Sequence, residues 1–178
     1  NTAFRWACSN GHEAIARWLY SLGLTLDDVR ADDNAAFHWA CEHGHEAIAR
    51  WLFSLGLTLA DVRTSDNRAF RWTCMNGHEA IARWLFSLGL TLADVRANNN
   101  CAFGWACKCG HEAIARWLFS LGLTLADVRA NSNYAFCCAC ANGHEAIARW
   151  LFSLGLTLED VRVIDNCALG WACKYGHE

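Results

Sequence analysis

His45-Glu46-Ala47-Ile48-Ala49-Arg50-Trp51-Leu52 decides the fold, because the same eight residues start again at His12, His78, His111 and His144. A glycine precedes each of these histidines, at Gly11, Gly44, Gly77, Gly110 and Gly143, and the pair returns once more at Gly176. The period is 33 residues, and a period of that size marks a repeat array rather than an ordinary globular domain. The chain divides into copies 1–33, 34–66, 67–99, 100–132 and 133–165 and a partial copy 166–178, expected to form one array.

Composition narrows the class. With 54% apolar and 19% charged residues the sequence is that of a folded chain. Apolar runs fall short of the ~18 residues that span a bilayer. The net charge of −3 is spread along the copies, which argues against nucleic acid as the partner, since phosphate recognition needs a concentrated positive field. Six of the eleven cysteines, Cys8, Cys41, Cys74, Cys107, Cys140 and Cys173, occupy one register position. Equivalent positions in stacked helices lie about 10 Å apart, too far for a disulfide, which needs Cα atoms within ~7 Å. These cysteines read as small buried residues, and reduced thiols point to the cytoplasm or nucleus.

The second copy stands for the others. Asn34 suits a helix N-cap, followed by a helix through Ala36, Phe37, Trp39, Ala40 and Cys41 that stops at Gly44. A second helix runs through Ile48, Trp51, Leu52 and Leu55 to Gly56. Its only polar stripe is Glu46, Arg50 and Ser54, spaced four apart, so its flanks must be covered by neighbouring copies. Thr58-Leu59-Ala60-Asp61 is a capping pattern that opens a short third helix, with Leu59 and Val62 on one side. No stretch alternates with period two, so strands are not expected.

The run Ala-Phe-x-Trp-Ala-Cys-x-x-Gly-His-x-x-Ile-Ala-x-Trp-Leu, closing in Leu-Gly, resembles the ankyrin repeat and is similar to divergent repeats of giant viruses and protists. The resemblance covers the whole chain and implies an all-α helical solenoid that binds proteins through a concave first-helix face. Three features depart from the family pattern. The Thr-Pro-Leu-His start is missing, Trp39 and Trp51 replace smaller residues, and Gly-Leu-Thr-Leu-x-Asp-Val-Arg stands where the family has a hairpin finger. A short helical turn is expected in place of that finger.

Differences among the copies point to a surface. Counting each copy's asparagine as position one, position two reads Thr2, Ala35, Arg68, Cys101, Tyr134 and Cys167. Position five reads Arg5, His38, Arg71, Gly104, Cys137 and Gly170, and position nine Ser9, Glu42, Met75, Lys108, Ala141 and Lys174. Spacings of three and four put these residues on one face of the first helix. Drift of exposed residues accounts for some of this variation, yet Glu46, Arg50 and Ser54 on the second helix do not vary among the full copies. The variable face is therefore the expected partner-binding surface of a scaffold or adaptor. The alternative is a self-assembling filament or lattice built through the constant face and stacked ends; neither end carries an atypical capping copy, so a segment of a longer array, or one stacked end to end with copies of itself, is expected.

Catalytic and metal readings are weaker. A histidine repeated once per copy is a structural device, satisfying backbone groups at the turn, whereas catalysis needs one asymmetric constellation. Cys137 and Cys140 have helical spacing for two metal ligands, but the other two are not evident, so neither metal nor cofactor is expected. The two tryptophan ladders, interleaved with Ala, Ile and Leu, read as core.

Overall fold

The computed structural model describes residues 1–162, and among these residues every regular element is a helix. Two compact units are present, Asn1–Leu90 and Thr91–Glu178. Each is built from the same three-helix copy.

Second helices span Glu13–Ser21, Glu46–Ser54, Glu79–Ser87, Glu112–Ser120 and Glu145–Ser153. Their sequence, Glu-Ala-Ile-Ala-Arg-Trp-Leu-Phe-Ser with Tyr20 in the first copy, is rich in strong helix formers and starts with an acid at the positive end of the helix dipole. Ile48, Ala49 and Leu52 are fully covered, as are Ile81, Ala82 and Leu85. The glutamate–arginine pair four residues apart closes in each copy, at 2.8 Å between Glu46 and Arg50.

First helices end in a double hydrogen bond of the Schellman type. In the second copy the Gly44 N–H donates to the Cys41 carbonyl and the His45 N–H to Ala40, with Gly44 at φ +81°. Short helices at Leu59–Val62, Leu92–Val95 and Leu125–Val128 replace any hairpin finger. Each opens on a reciprocal threonine–aspartate box, such as Thr58 with Asp61.

The passage from a short helix to the next first helix corrects the N-cap expectation. Among the described residues the asparagine side chain does not cap the helix that follows it. Instead three consecutive residues take left-handed geometry: Asp32-Asp33-Asn34, Ser65-Asp66-Asn67, Asn98-Asn99-Asn100 and Asn131-Ser132-Asn133. Only Asn, Asp and Ser occupy these positions, the short polar side chains that make this conformation least costly. The last residue of each triplet is buried, and the amides of Asn34 and Asn133 reach across to the short-helix end of their own copy. Asn34 Nδ2 donates to the Asp61 carbonyl at 3.4 Å and to Thr64 Oγ1 at 3.2 Å, and Asn133 Nδ2 donates to the Asp160 carbonyl at 2.9 Å.

Three contacts join consecutive copies within a unit. Arg30 grips Asp61 through two hydrogen bonds, 2.9 and 3.0 Å long, and Arg96–Asp127 and Arg129–Asp160 repeat the fork. Three of the Gly-His histidines bond the end of the preceding first helix: His45 Nε2 to the Ser9 carbonyl at 2.9 Å, His78 to Glu42 and His144 to Lys108. The acceptor is a carbonyl, so Nε2 carries the proton, and the backbone group served belongs to the previous copy. Finally, the second-helix tryptophan inserts between two rings of the preceding copy. Trp84 lies 6.3 Å from Phe37 and 5.8 Å from Phe53, and the Arg50 guanidinium covers its ring at 4.8 Å.

These contacts make two expectations measurable. A Cβ on Gly44 would fall 2.6 Å from the His78 ring, whereas one on Gly23, also at positive φ, meets nothing within 4 Å. Gly44→Ala lowers unfolding free energy by about 1–3 kcal/mol, and Gly23→Ala by less, as read from denaturant curves. The second concerns acid. For Asp61, burial alone raises the carboxyl pKa, but the Arg30 fork and the Thr58 bonds outweigh it and hold the pKa down near about 2. At Asp127 the Arg96 fork is the leading cause and the result is again about 2. A depressed native pKa adds stability above the unfolded value of about 3.9, and that stability is lost as pH falls through the native value. The thermal midpoint therefore drops between pH 4 and 2, and less so in a Asp61→Asn, Asp127→Asn double variant, whose midpoint at pH 7 is already lower.

Candidate functional site

Position five marks out what the first-helix face does, because its occupants attend to the left-handed turns. Arg5 pairs with Asp32 in the turn that follows its copy. Arg71 donates from Nε to the Asp66 carbonyl at 2.7 Å and from a terminal nitrogen to Ser65 at 3.1 Å, clamping its own turn. Cys137 approaches the Ser132 carbonyl at 3.9 Å. His38 is 2% exposed, and its Nε2 meets Thr64 Oγ1 at 3.0 Å. The Thr64 hydroxyl proton is engaged on the Asp61 carbonyl at 2.7 Å, so His38 donates and its tautomer is set. Burial, and then the nearby Arg68 charge, push the His38 pKa down to about 4, which keeps the ring neutral at pH 7.

Positions two and nine behave alike where they meet. Arg68 faces the Glu42 carboxylate of the preceding copy at 3.8 Å. Ser9 Oγ and His43 Nδ1 lie 3.1 Å apart. Gly104 leaves room for Tyr134 of the next copy: an added Cβ would stand 2.9 Å from the Tyr134 ring. Ala35, Cys137 and Ala141 are buried, while Thr2 and Lys108 are exposed and Arg68, Met75, Cys101 and Tyr134 are half-buried. Much of the variation is thus packing complementarity between neighbours, and the expectation that the whole face is free surface needs that correction. Cys167, Gly170 and Lys174 lie outside the described residues.

The constant stripe also has a packing role. Arg17, Arg50 and Arg116 each cover a tryptophan of the following copy at 4.8 Å, namely Trp51, Trp84 and Trp150. A residue held in that way is not free to drift, which removes constancy as a sign that the stripe is itself an interface.

Sequence reading missed the first-helix tryptophans. Trp6 is 62% exposed and Trp39, Trp72 and Trp105 are half-buried, so this ladder is not core. Trp6 and Trp39 line an open concavity of about 450 Å³ together with Ser9, Asn10, Glu42 and His43. Its walls combine two indoles, a carboxylate and a hydroxyl–imidazole pair. The missed signal lay in the numbering: position six adjoins the variable positions five and nine on the helix surface.

No group of three or more histidine, cysteine or acidic side chains placed to hold a metal ion occurs among the described residues. The cysteines at position eight are free thiols, and burial pushes that of Cys8 up to about 12 and those of Cys41, Cys74 and Cys107 further still. These four thiols are not nucleophiles at neutral pH. Among the described residues no helix is long and apolar enough to cross a membrane.

The fit between Gly104 and Tyr134 is testable by a double-mutant cycle. Gly104→Ala alone destabilises despite its better helix propensity, Tyr134→Ala alone leaves a cavity, and the two effects fail to add by about 1 kcal/mol or more. Additive effects in denaturant unfolding would separate the two positions.

Compared with known families, residues 1–66 match the model for ankyrin repeats in three copies, and residues 104–152 match the model for ankyrin repeats in many copies. No curated protein matches the chain.

Proposed function

The chain belongs to the ankyrin-repeat family, and on that premise we propose that it is a protein-binding adaptor that holds its partner on the first-helix surface. Ankyrin repeats are in general protein–protein interaction modules and non-enzymatic scaffolds. The observation that carries the finer reading is the concavity between Trp6 and Trp39. Tryptophan dominates binding hot spots because it offers a large rigid apolar surface with one polar edge. Here two indoles flank Glu42 and His43, side chains that differ from copy to copy. The partner is an extended protein segment that inserts an apolar side chain between the indoles and presents a donor to the Glu42 carboxylate.

Within Asn1–Leu90, exposed Thr2 extends the candidate surface and Arg68 and Met75 contribute their uncovered edges, and Thr91–Glu178 presents its own first-helix face through exposed Lys108 and half-buried Cys101 and Tyr134. Arg5, Ala35, His38, Arg71, Cys137 and Ala141 act behind it, fixing helix spacing and turn geometry. Reduced, buried thiols suit a reducing compartment, the cytoplasm or nucleus.

A photo-crosslinking amino acid at Asn10, on the rim of the concavity, yields discrete protein adducts in cells, and one at Ser54 on the second helix does not. Trp39→Ala abolishes the Asn10 adducts while leaving helical content unchanged. Equal adducts from both positions, or adducts indifferent to Trp39, would contradict the proposal.

A further inference from the structure

The packing of the copies shows three times how an indole and a glutamate are satisfied together. Arg17, Arg50 and Arg116 each lie 4.8 Å over a tryptophan of the next copy. The same guanidiniums donate from Nε to Glu13, Glu46 and Glu112 at 2.8, 2.8 and 2.7 Å. Each arginine thus sets its flat face on a ring and its edge on a carboxylate, a use that suits its planar and weakly hydrated head.

The first-helix concavity presents the same two partners, indole and carboxylate, with no arginine of the chain closed on them. Trp6 and Trp39 form its walls, and Glu42 stands among its lining residues. The walls come from two consecutive copies, so the concavity does not depend on what stands before Asn1. Every second-helix glutamate is closed by its arginine at 2.8 Å or less. Glu42 differs: its Oε2 is buried and accepts no hydrogen bond from the described residues. The nearby arginines are turned elsewhere. Arg5 pairs with Asp32. Arg68 stands over Trp72 at 5.8 Å, and its terminal nitrogen is 3.8 Å from Glu42 Oε2, beyond hydrogen-bond reach.

We propose that the concavity takes an arginine side chain of the partner segment, with its guanidinium laid against the Trp6 and Trp39 indoles and its N–H groups donating to the Glu42 carboxylate. The inference rests on the reading of the concavity as the partner site and names the residue that fills it. One arginine meets both demands of that site, because its methylene stem and flat face are the apolar surface and its N–H groups are the donors. Packed helices stand roughly 8–10 Å apart, so indoles at one register position of consecutive copies leave room for one flat group between them. Lysine brings a compact, strongly hydrated charge with no face to stack. Trimethyllysine has no N–H to give and leaves the carboxylate unpaired.

A display library of random peptides, selected on the full chain and counter-selected on the Trp39→Ala chain, tests this. The selected peptides share an arginine. In fluorescence anisotropy with one of them labelled, replacing that arginine by lysine, leucine or trimethyllysine weakens binding about tenfold or more. Glu42→Gln in the protein weakens it by a comparable factor. Glu46→Gln, whose carboxylate is already held by Arg50, leaves the affinity unchanged, and both variants keep full helical circular dichroism. Peptides that need Trp39 but tolerate lysine or leucine at the anchor, or whose binding is indifferent to Glu42→Gln, overturn the arginine inference and leave the partner site standing. A selection that returns no Trp39-dependent peptide overturns both.

Discussion

The insertion of a second-helix tryptophan between two rings of the preceding copy is the contact on which the rest of this fold depends. A second helix that is apolar around most of its girth cannot be covered by its own copy. Trp84 against Phe37 and Phe53 shows how the cover is supplied, and Arg50 completes it from the solvent side with its guanidinium on the indole and its ion pair to Glu46. Polar contacts then fix the spacing of the copies. Each is directional where the ring packing is not: the Arg30–Asp61 fork and the His45 bond to Ser9 span two copies, and the Asn34 bond to Asp61 ties the start of a copy to its own short helix. The aspartate serves twice, opening its short helix with Thr58 and accepting the fork from the copy before.

That double use explains which positions vary. Asp61, Arg30 and His45 hold obligations on both sides of a junction, and their equivalents hardly change among copies. Position five mostly steadies a left-handed turn, and side chains do so by different routes, Arg71 through backbone carbonyls, His38 through Thr64 and Arg5 through Asp32, while Gly104 instead makes room for Tyr134. Variation on the first-helix face is therefore divided between fitting a neighbour and presenting surface. Thr2 and Lys108 stand on the second side of that division, Ala35 and Ala141 on the first.

Helix positions, the Schellman stops and the threonine-capped short helix were legible in one copy, because each rests on contacts between residues at most a few positions apart. Reading the copies against one another found the variable face. The turn between copies was not legible as such: Asn34 has the chemistry of an N-cap and of a left-handed residue, and the choice is made by its amide reaching Asp61, a contact 27 residues long. His45 was rightly read as a backbone partner, but its acceptor is in the previous copy, 36 residues away. The first-helix tryptophans were misassigned because helical spacing alone does not say where a neighbouring helix ends its cover. At Trp6 and Trp39 it leaves a concavity.

If neighbours rather than sequence stabilise each copy, helices of almost the same sequence must differ in stability according to what covers them. Glu13–Ser21 and Glu46–Ser54 differ only at Tyr20 and Phe53, yet the first has its Ile15–Trp18 face uncovered. Native-state amide hydrogen exchange, resolved by residue and followed at low concentration, measures this directly. The account predicts markedly faster exchange in Glu13–Ser21 than in Glu46–Ser54. Equal protection of the two helices would show that each copy is stable by itself and would contradict it.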